Sequence, residues 1–406
     1  MNASPAAAAA RTEQLLAQIS QFLDQRLPPA FERALRTVPR HLFLPDRIWR
    51  RDGEGGYHLR DRATDPEGWL EAAYRDTPLV TQFTDGLPTS SASMPSMMLR
   101  TLLLAGLDNP AAPRRVLELG TGTGFNAALL CALLGDSAVT TIELDAALAT
   151  QGQRNLRTAG HAPVVVRGDA AARLPDEAPY DLMVATFSVD RLPPAWTAQT
   201  TPGGRIITPW TSAWCRYGTL ELTAHQDGGA RGRFHAFAAF MPMRHPATTS
   251  PATGPAAVDG PVHQDTTALS PWAVAGGDLD AEFSIGLAVP GVSFAWDSSG
   301  EHAPVRLEAA DDAGPAWATV DYDGRHSDRF TVTQAGPRRL WDEITAAYTR
   351  WDTLGRPRIE QHGLTVHPTG RHTTWVAVAG RQQTVREDHA HRWPTPSTSA
   401  APVAAE

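Results

Sequence analysis

The sequence predicts a doubly wound α/β fold, preceded by an N-terminal helical segment and followed by an additional C-terminal α+β domain. Three observations carry this. From Arg115 onward, strand-like and helix-like runs alternate: "RRVLELG", "FNAALLCALLG", "AVTTIELD", "ALATQGQRNLRTAG", "PVVVRGD" and "YDLMVATFS". Repeated β–α–β units imply a parallel sheet with helices on both faces. A glycine-rich turn, Gly120, Gly122 and Gly124, joins the first of these strands to the first helix. Past a Pro/Ala/Thr run at 246–262 the texture changes to short strands with one amphipathic helix. A chain of 406 residues, 42% hydrophobic and 20% charged, has material for two such units.

Taken in order, residues 11–37 place Leu15, Leu16, Ile19, Phe22 and Leu23 at helical spacing. "VPRHLFLPD", 38–46, is punctuated by proline, and 47–86 reads as charged and irregular. "LPTSSASMPSMM", 87–98, gathers Thr89, Ser90, Ser91, Ser93 and Ser96 just before an apolar helix with Pro95 in its first turn. Those hydroxyls suit a helix start or a site that holds something polar. "PGGRIITPW", "GTLELTA" and "GRFHAFAAFMPMR" read as late strands, the last two antiparallel at one edge.

Beyond the linker, "AEFSIGLAVPGVSFAW", "WATVDYDG", "RFTVTQAG" and "TTWVAVAG" read as strands. "RRLWDEITAAYTRWDTLG" reads as a packing helix with Leu340, Trp341, Ile344, Ala347, Tyr348, Trp351 and Leu354 on one face. The expected division is a first unit over 1–245 (helical to 86, sheet core from 87), a linker over 246–262, an accessory domain over 263–390, and a disordered tail over 391–406.

The net charge of −8, with every cation an arginine, argues against a protein that grips nucleic acid through phosphates. Cys131 and Cys215 lack a CxxC or histidine pairing, so neither a zinc site nor a disulfide framework is expected. The N-terminus lacks a signal-peptide pattern, and no apolar run is long enough to span a membrane. The expectation is a cytoplasmic protein without membrane partner or metal.

"LELGTGTGFNAALL" follows a strand and opens a helix, where a glycine turn lets a ligand approach backbone. Its spacing is GxGxG. The dinucleotide fingerprint would need glycine at 125, which is Phe, and no lysine follows to make a phosphate loop. Glu118 stands just before the first glycine, a position suited to a positive ligand group. Glu143 ends the next strand, where a carboxylate can accept both hydroxyls of a ribose. Asp169, in "GDA" from Gly168 to Ala170, ends the third and could meet an adenine amino group. Adenine, ribose, no phosphate and a cationic sulfonium describe S-adenosylmethionine.

"VPRHLFLPD", the SxxP arrangement in "SASMPSM", "VLELGTGTGFNAALL", "TIELD", "VRGDA", "APYDLMVATFSV", "PGGRIITP" and "FMPMR" together resemble the protein-L-isoaspartate O-methyltransferase family over roughly residues 30 to 245. The resemblance implies a class I, Rossmann-like S-adenosylmethionine-dependent methyltransferase that releases S-adenosylhomocysteine. It places Ser93 beside the methyl donor and the substrate carboxylate, with Ser91, Ala92 and Met94 lining the same loop. The cofactor set it implies comprises Ser91, Ala92, Ser93, Met94, Glu118, Gly120, Thr121, Gly122, Thr123, Gly124, Asn126, Glu143, Leu144, Gly168, Asp169, Ala170 and Thr186. The family's usual Gln-Thr is here Ser90-Ser91, and Met94 follows the serine.

"LVTQ", "LPTSSASMPSMM", "LWDEITAAYTRWDTLGRPR" and "HGLTVHPTGRHTTWVAV" further resemble longer relatives that act on ribosomally made peptides, above all those working after an ATP-grasp ligase on graspetides. By that resemblance the enzyme esterifies one Asp of a macrocyclised precursor peptide. The ester closes to a succinimide that persists or opens to isoaspartate, and the C-terminal domain, absent from shorter repair enzymes, grips the peptide. A lanthipeptide substrate and general repair of isoaspartate are the alternatives.

Overall fold

Two consecutive prolines cut the first expected helix in two: α1 spans Pro5–Leu23 and α2 Pro29–Thr37, with Pro28 extended as the cap and Pro29 at the first helical position. The computed structural model describes residues 5–53, 55–108, 115–174, 178–244, 261–298, 303–311, 314–322, 328–388 and 401–402.

The segment read as irregular is ordered. β1 (Arg47–Arg51), β2 (Tyr57–Asp61), β3 (Leu79–Thr84) and β4 (Leu87–Ala92) form an antiparallel sheet in the order β2-β1-β3-β4, with α3 (Pro66–Ala73) between β2 and β3. The hydroxyl run is thus largely a strand. It ends where α4 (Pro95–Leu104) begins, capped by Met94 without a side-chain bond. Asp76 serves that helix instead, its Oδ1 accepting the Ser96 N–H at 2.8 Å. The hydroxyls face other work.

The main sheet has eleven strands in the order β19-β18-β17-β11-β10-β9-β8-β5-β6-β7-β20. Its parallel half comprises β5 (Val116–Leu119), β6 (Val139–Glu143), β7 (Val164–Arg167), β8 (Tyr180–Ala185) and β9 (Thr200–Pro209). α5 (Phe125–Leu134), α6 (Ala146–Thr158) and α7 (Pro194–Ala198) connect them. β5 and β6 are buried along their whole length, as the central strands of a parallel sheet are. Strand order reverses between β5 and β8, and the crevice beyond the carboxyl ends of strands at such a point is where α/β sheets take ligands.

β10 (Thr219–Ala224) and β11 (Ala230–His235) extend the sheet antiparallel. The accessory region divides. β12 (His263–Thr267), β13 (Val292–Trp296), β14 (Val305–Asp311), β15 (Gly314–Val320) and β16 (Phe330–Ala335) make a separate five-stranded antiparallel sheet with α8 (Pro271–Ala275), α9 (Leu279–Ala288) and α10 (Leu340–Thr353). β17 (His362–Val366), β18 (His372–Val378) and β19 (Arg381–Asp388) return to the main sheet through β11. Residues 263–390 are therefore not one self-contained unit. Of the tail expected to be disordered, β20 (Ala401–Pro402) pairs with β7, and the remainder lies outside the described residues, as does most of the linker.

The run "AEFSIGLA" is a helix, not a strand. Asp278 accepts the N–H groups of Asp280 and Ala281 and starts α9. Its body is buried nearly all round, a pattern that periodicity cannot tell from a buried strand. Phe283 and Leu287 of α9 join Ile359, Leu364 and Val366 in the core on one face of the main sheet, while Ile285 joins the core of the five-stranded sheet. On α10, Leu340, Trp341, Ile344, Ala347 and Trp351 are buried. Among the described residues, no helix is long and apolar enough to cross a membrane.

Candidate active site

Gly120 (φ 98°), Gly122 (φ 53°) and Gly124 (φ 95°) hold the turn after β5 in left-handed backbone. A Cβ on Gly120 would fall 2.6 Å from Thr186 Oγ1, and one on Gly124 3.1 Å from the Gly152 carbonyl. A Cβ on Gly122 would meet only Ser90 Oγ, at 4.0 Å, because that residue faces open space. The turn thus presents bare backbone to a cavity.

This cavity is walled by Ser91, Ala92, Ser93, Gly120, Thr121, Gly122, Thr123, Asn126, Glu143, Leu144, Ala170 and Thr186 of the expected set. Glu143 Oε2 accepts the Gly122 N–H at 2.8 Å and Oε1 the Asp145 N–H at 3.1 Å. Burial raises its carboxyl above the ordinary value, while those two N–H groups and Arg244 oppose the rise. Thr186 Oγ1 donates to the Gly120 carbonyl at 2.6 Å, tying β8 to the turn. Asn126 donates to Glu118, and its own buried Oδ1 has no partner among the described residues. An orphaned acceptor, a carboxylate at a strand tip and exposed glycine backbone fit the adenosyl and amino-acid parts of S-adenosylmethionine.

Five expected residues lie elsewhere. Met94 turns into a neighbouring cleft. Gly124 packs on α6 rather than on the cavity. Asp169 is buried, with Oδ1 accepting the Ala171 N–H, and neither it nor Gly168 lines the wall. Glu118 sits beneath the floor: Oε1 accepts Asn126 Nδ2 at 2.8 Å and Oε2 the Thr141 hydroxyl at 2.5 Å. It shapes the site through Asn126 and does not face the ligand space. Thr89 and Ser90 of the hydroxyl run also line the wall, and residues the sequence did not single out complete it, among them Phe125, Ile142, Leu148, Phe187, Met241 and Arg244.

Glu118 is fully buried, and desolvation pushes its carboxyl up to about 7. Because the folded state disfavours the ionised form, the stability is complete below the normal carboxyl range and is lost as pH rises through 7. The effect is on the order of 3 kcal/mol. Glu118→Gln keeps an oxygen for Asn126 and should flatten this loss. Melting temperatures at pH 5 and pH 8 check it: the parent should drop markedly more than the variant, and equal drops would refute the assignment.

Arg40, from "VPRHLFLPD", was not anticipated as a site residue. Its guanidinium is buried and donates to five carbonyls: Ala73 (3.0 Å) and Arg75 (2.9 Å) through Nη1, and Thr77 (3.1 Å), Ala92 (3.4 Å) and Ser93 (3.0 Å) through Nη2. Desolvation brings it down to about 10, opposed by Asp76. The backbone of the serine loop is therefore pinned from beneath. The Ser93 hydroxyl, by contrast, is held by no group among the described residues.

A second cleft, of about 480 Å³, abuts the first. Ser91, Ser93 and Met241 line both. Its remaining wall is mainly apolar: Phe22, Tyr57, Pro78, Val80, Pro88, Met94, Met97, Phe237 and Phe240.

Cys131 departs from expectation, since Asp136 and His161 approach it with ligand atoms within 4.8 Å of one another. His161 Nδ1 and the Ala162 N–H already engage the two Asp136 oxygens, at 3.0 and 2.7 Å. Burial raises the thiol well above its usual range, the opposite of what a thiolate ligand needs.

Residues 61–244 match the family model described as Protein-L-isoaspartate(D-aspartate) O-methyltransferase (PCMT). The Protein-L-isoaspartate O-methyltransferase 2 of Shewanella sediminis is 33% identical over 211 residues, 52% of this chain and 73% of that one. The Protein-L-isoaspartate O-methyltransferase of Pyrococcus horikoshii is 31% identical over 215 residues, 52% and 83%. The Thermotoga maritima protein of the same name is 36% identical over 142 residues, 34% of this chain and 44% of that one. A solved structure titled protein-L-isoaspartate O-methyltransferase superposes with TM-score 0.50 at 22% identity, covering 88% of this chain and 96% of the other. That fold likeness, at 88% of this chain, reaches past residue 244.

Proposed function

We infer the reaction from the family: the chain belongs to the protein-L-isoaspartate(D-aspartate) O-methyltransferase family and is an S-adenosylmethionine-dependent carboxyl O-methyltransferase. Its proposed act is to convert a peptide's aspartyl or isoaspartyl carboxylate into a methyl ester. One observation carries the reading at this chain's own residues. The nucleotide cavity and the apolar cleft meet at Ser93, whose backbone is fixed and whose hydroxyl is unengaged.

The donor supplies an electrophilic methyl group on a cationic sulfur. Glu143 would hold the ribose hydroxyls and the Gly120–Gly124 turn the backbone side of the adenosyl group. An acceptor carboxylate, with an ordinary pKa of about 3.9, is ionised at neutral pH and needs no base. Ser93 would donate to one carboxylate oxygen and leave the other aimed at the methyl. Reaction consumes one positive and one negative charge, so an environment that solvates charge poorly favours the transition state over the separated ions. Met94, Met97, Met241, Phe237 and Phe240 provide such a wall. Alignment of this kind is worth roughly 7–11 kcal/mol in favourable cases.

For the acceptor, we propose an Asp side chain within a macrocyclised ribosomal peptide, such as the product of an ATP-grasp ligase. The departures at Ser90, Ser91 and Met94 support this reading, as does a cleft wider than one isoaspartyl side chain requires. The names of the relatives favour a second reading, methylation of isoaspartate in damaged proteins. Methyl incorporation from labelled donor separates them. An Asp-containing peptide macrocyclised by an ATP-grasp ligase should be esterified at least about 100-fold more efficiently than a short isoaspartyl peptide. The reverse preference would establish repair.

A further inference from the structure

The acceptor cleft is apolar but not neutral. Among the described residues, Arg51, on β1, and Arg100, on α4, are the two ionised residues of its wall, and no carboxylate lines it. This occurs in a chain of net charge −8, where three nearby arginines are matched: Arg47 with Asp61, Arg60 with Asp65 and Arg62 with Asp46. Arg51 and Arg100 are exposed, and neither forms an ion pair among the described residues. The Arg100 guanidinium lies 4.5 Å from the Phe237 ring centre, which orients it along the cleft wall.

Neither arginine suits the reacting carboxylate. An ion pair to the acceptor would stabilise the anion that the reaction neutralises, and would raise the barrier. The cations therefore fit a different negative group on the same substrate. Spacing indicates where it sits. Met94, Met97 and Arg100 follow one another along one side of α4, and six residues of helix advance about 9 Å. In an extended peptide, residues two apart share a face and stand about 7 Å apart.

We propose that the cleft selects acidic peptides, in which the methylated residue has a second carboxylate two positions away, held by Arg100 with Arg51 as a second cation of the same cleft. This rests on the carboxyl-methyltransferase reading above and goes beyond it by naming the substrate's charge pattern.

The test uses capped heptapeptides with a central Asp or isoaspartate and either Glu or Gln at both positions two residues away. Their affinities are measured by titration calorimetry on the full chain saturated with S-adenosylhomocysteine. The Glu peptides should bind about 10-fold more tightly than the Gln peptides. This ratio should fall to near 1 in the R51M/R100M double variant, recover partly in R51K/R100K, and persist in R47M, which removes a cation outside the cleft. A ratio near 1 in the parent chain, or a ratio that R47M abolishes equally, overturns the proposal. If the two peptide classes are methylated with equal kcat/KM, this inference fails and the methyltransferase reading stands. If no peptide, linear or cyclised, accepts methyl, the underlying reading fails, and the affinity ratio still decides the charge preference.

Discussion

An Arg40→Met variant is expected to lose about 3–5 kcal/mol of unfolding free energy and, where it still folds, most of its methyl transfer. The guanidinium is 1% exposed and serves five carbonyls drawn from the end of α3, the following turn and the serine loop. Methionine fills comparable space but donates nothing, and each buried acceptor left unpaired costs about 1–3 kcal/mol. Asp76 would also lose the cation that balances it. Because two of the five carbonyls belong to Ala92 and Ser93, damage should reach the site before the fold is lost. Arg40→Lys keeps the charge but offers three donors at a point in place of a planar fork, so intermediate losses are expected. Chemical denaturation and kcat/KM measured together check this: an Arg40→Met chain with parental stability would show that the carbonyl clamp contributes little.

Legibility in the sequence followed burial. β5, β6 and β8 are buried along nearly their whole length and consist mostly of apolar or β-branched residues, and the glycine turn between β5 and α5 needs left-handed backbone that few other residues accept. These carry the fold and half of the nucleotide wall. β2, "YHLRD", is exposed along most of its length, and β1, "RIWRR", buries fully only Ile48. With so little buried face, no alternation marks them, and the small sheet that positions the serine loop stayed invisible. α9 misled for the opposite reason, being apolar nearly all round.

At the site, Glu143 shows the kind of residue that can be placed from its position at a strand tip, and Glu118 the kind that cannot. One residue before the glycine turn, its side chain goes under the floor to Asn126 and Thr141. Arg40 lies in the motif "VPRHLFLPD", yet nothing local gave its role, since its acceptors lie 33 to 53 residues away in sequence. Met94 and Ser93 are adjacent, yet Ser93 lines both clefts and Met94 only the apolar one, the pair forming the link between the end of β4 and the start of α4.

Ser93→Ala carries the second large effect. The substitution removes one hydroxyl that no internal group uses and leaves the backbone bond from Arg40 untouched, so stability should stay within about 0.5 kcal/mol of the parent. What it deletes is the proposed donor to the acceptor carboxylate at the junction of the two clefts. Loss of one preorganised donor aimed at a reacting oxygen typically lowers turnover by about 100- to 1,000-fold. Cofactor affinity should barely move, because the adenosyl group would be held by the glycine turn and Glu143. The decisive measurement is therefore a paired one on Ser93→Ala: kcat/KM for the peptide, and Kd for S-adenosylhomocysteine. A fall of about 100-fold or more in the first, with the second within about 3-fold of the parent, is the expected result. Equal losses in both, or no loss in either, would contradict the placement of Ser93 between donor and acceptor.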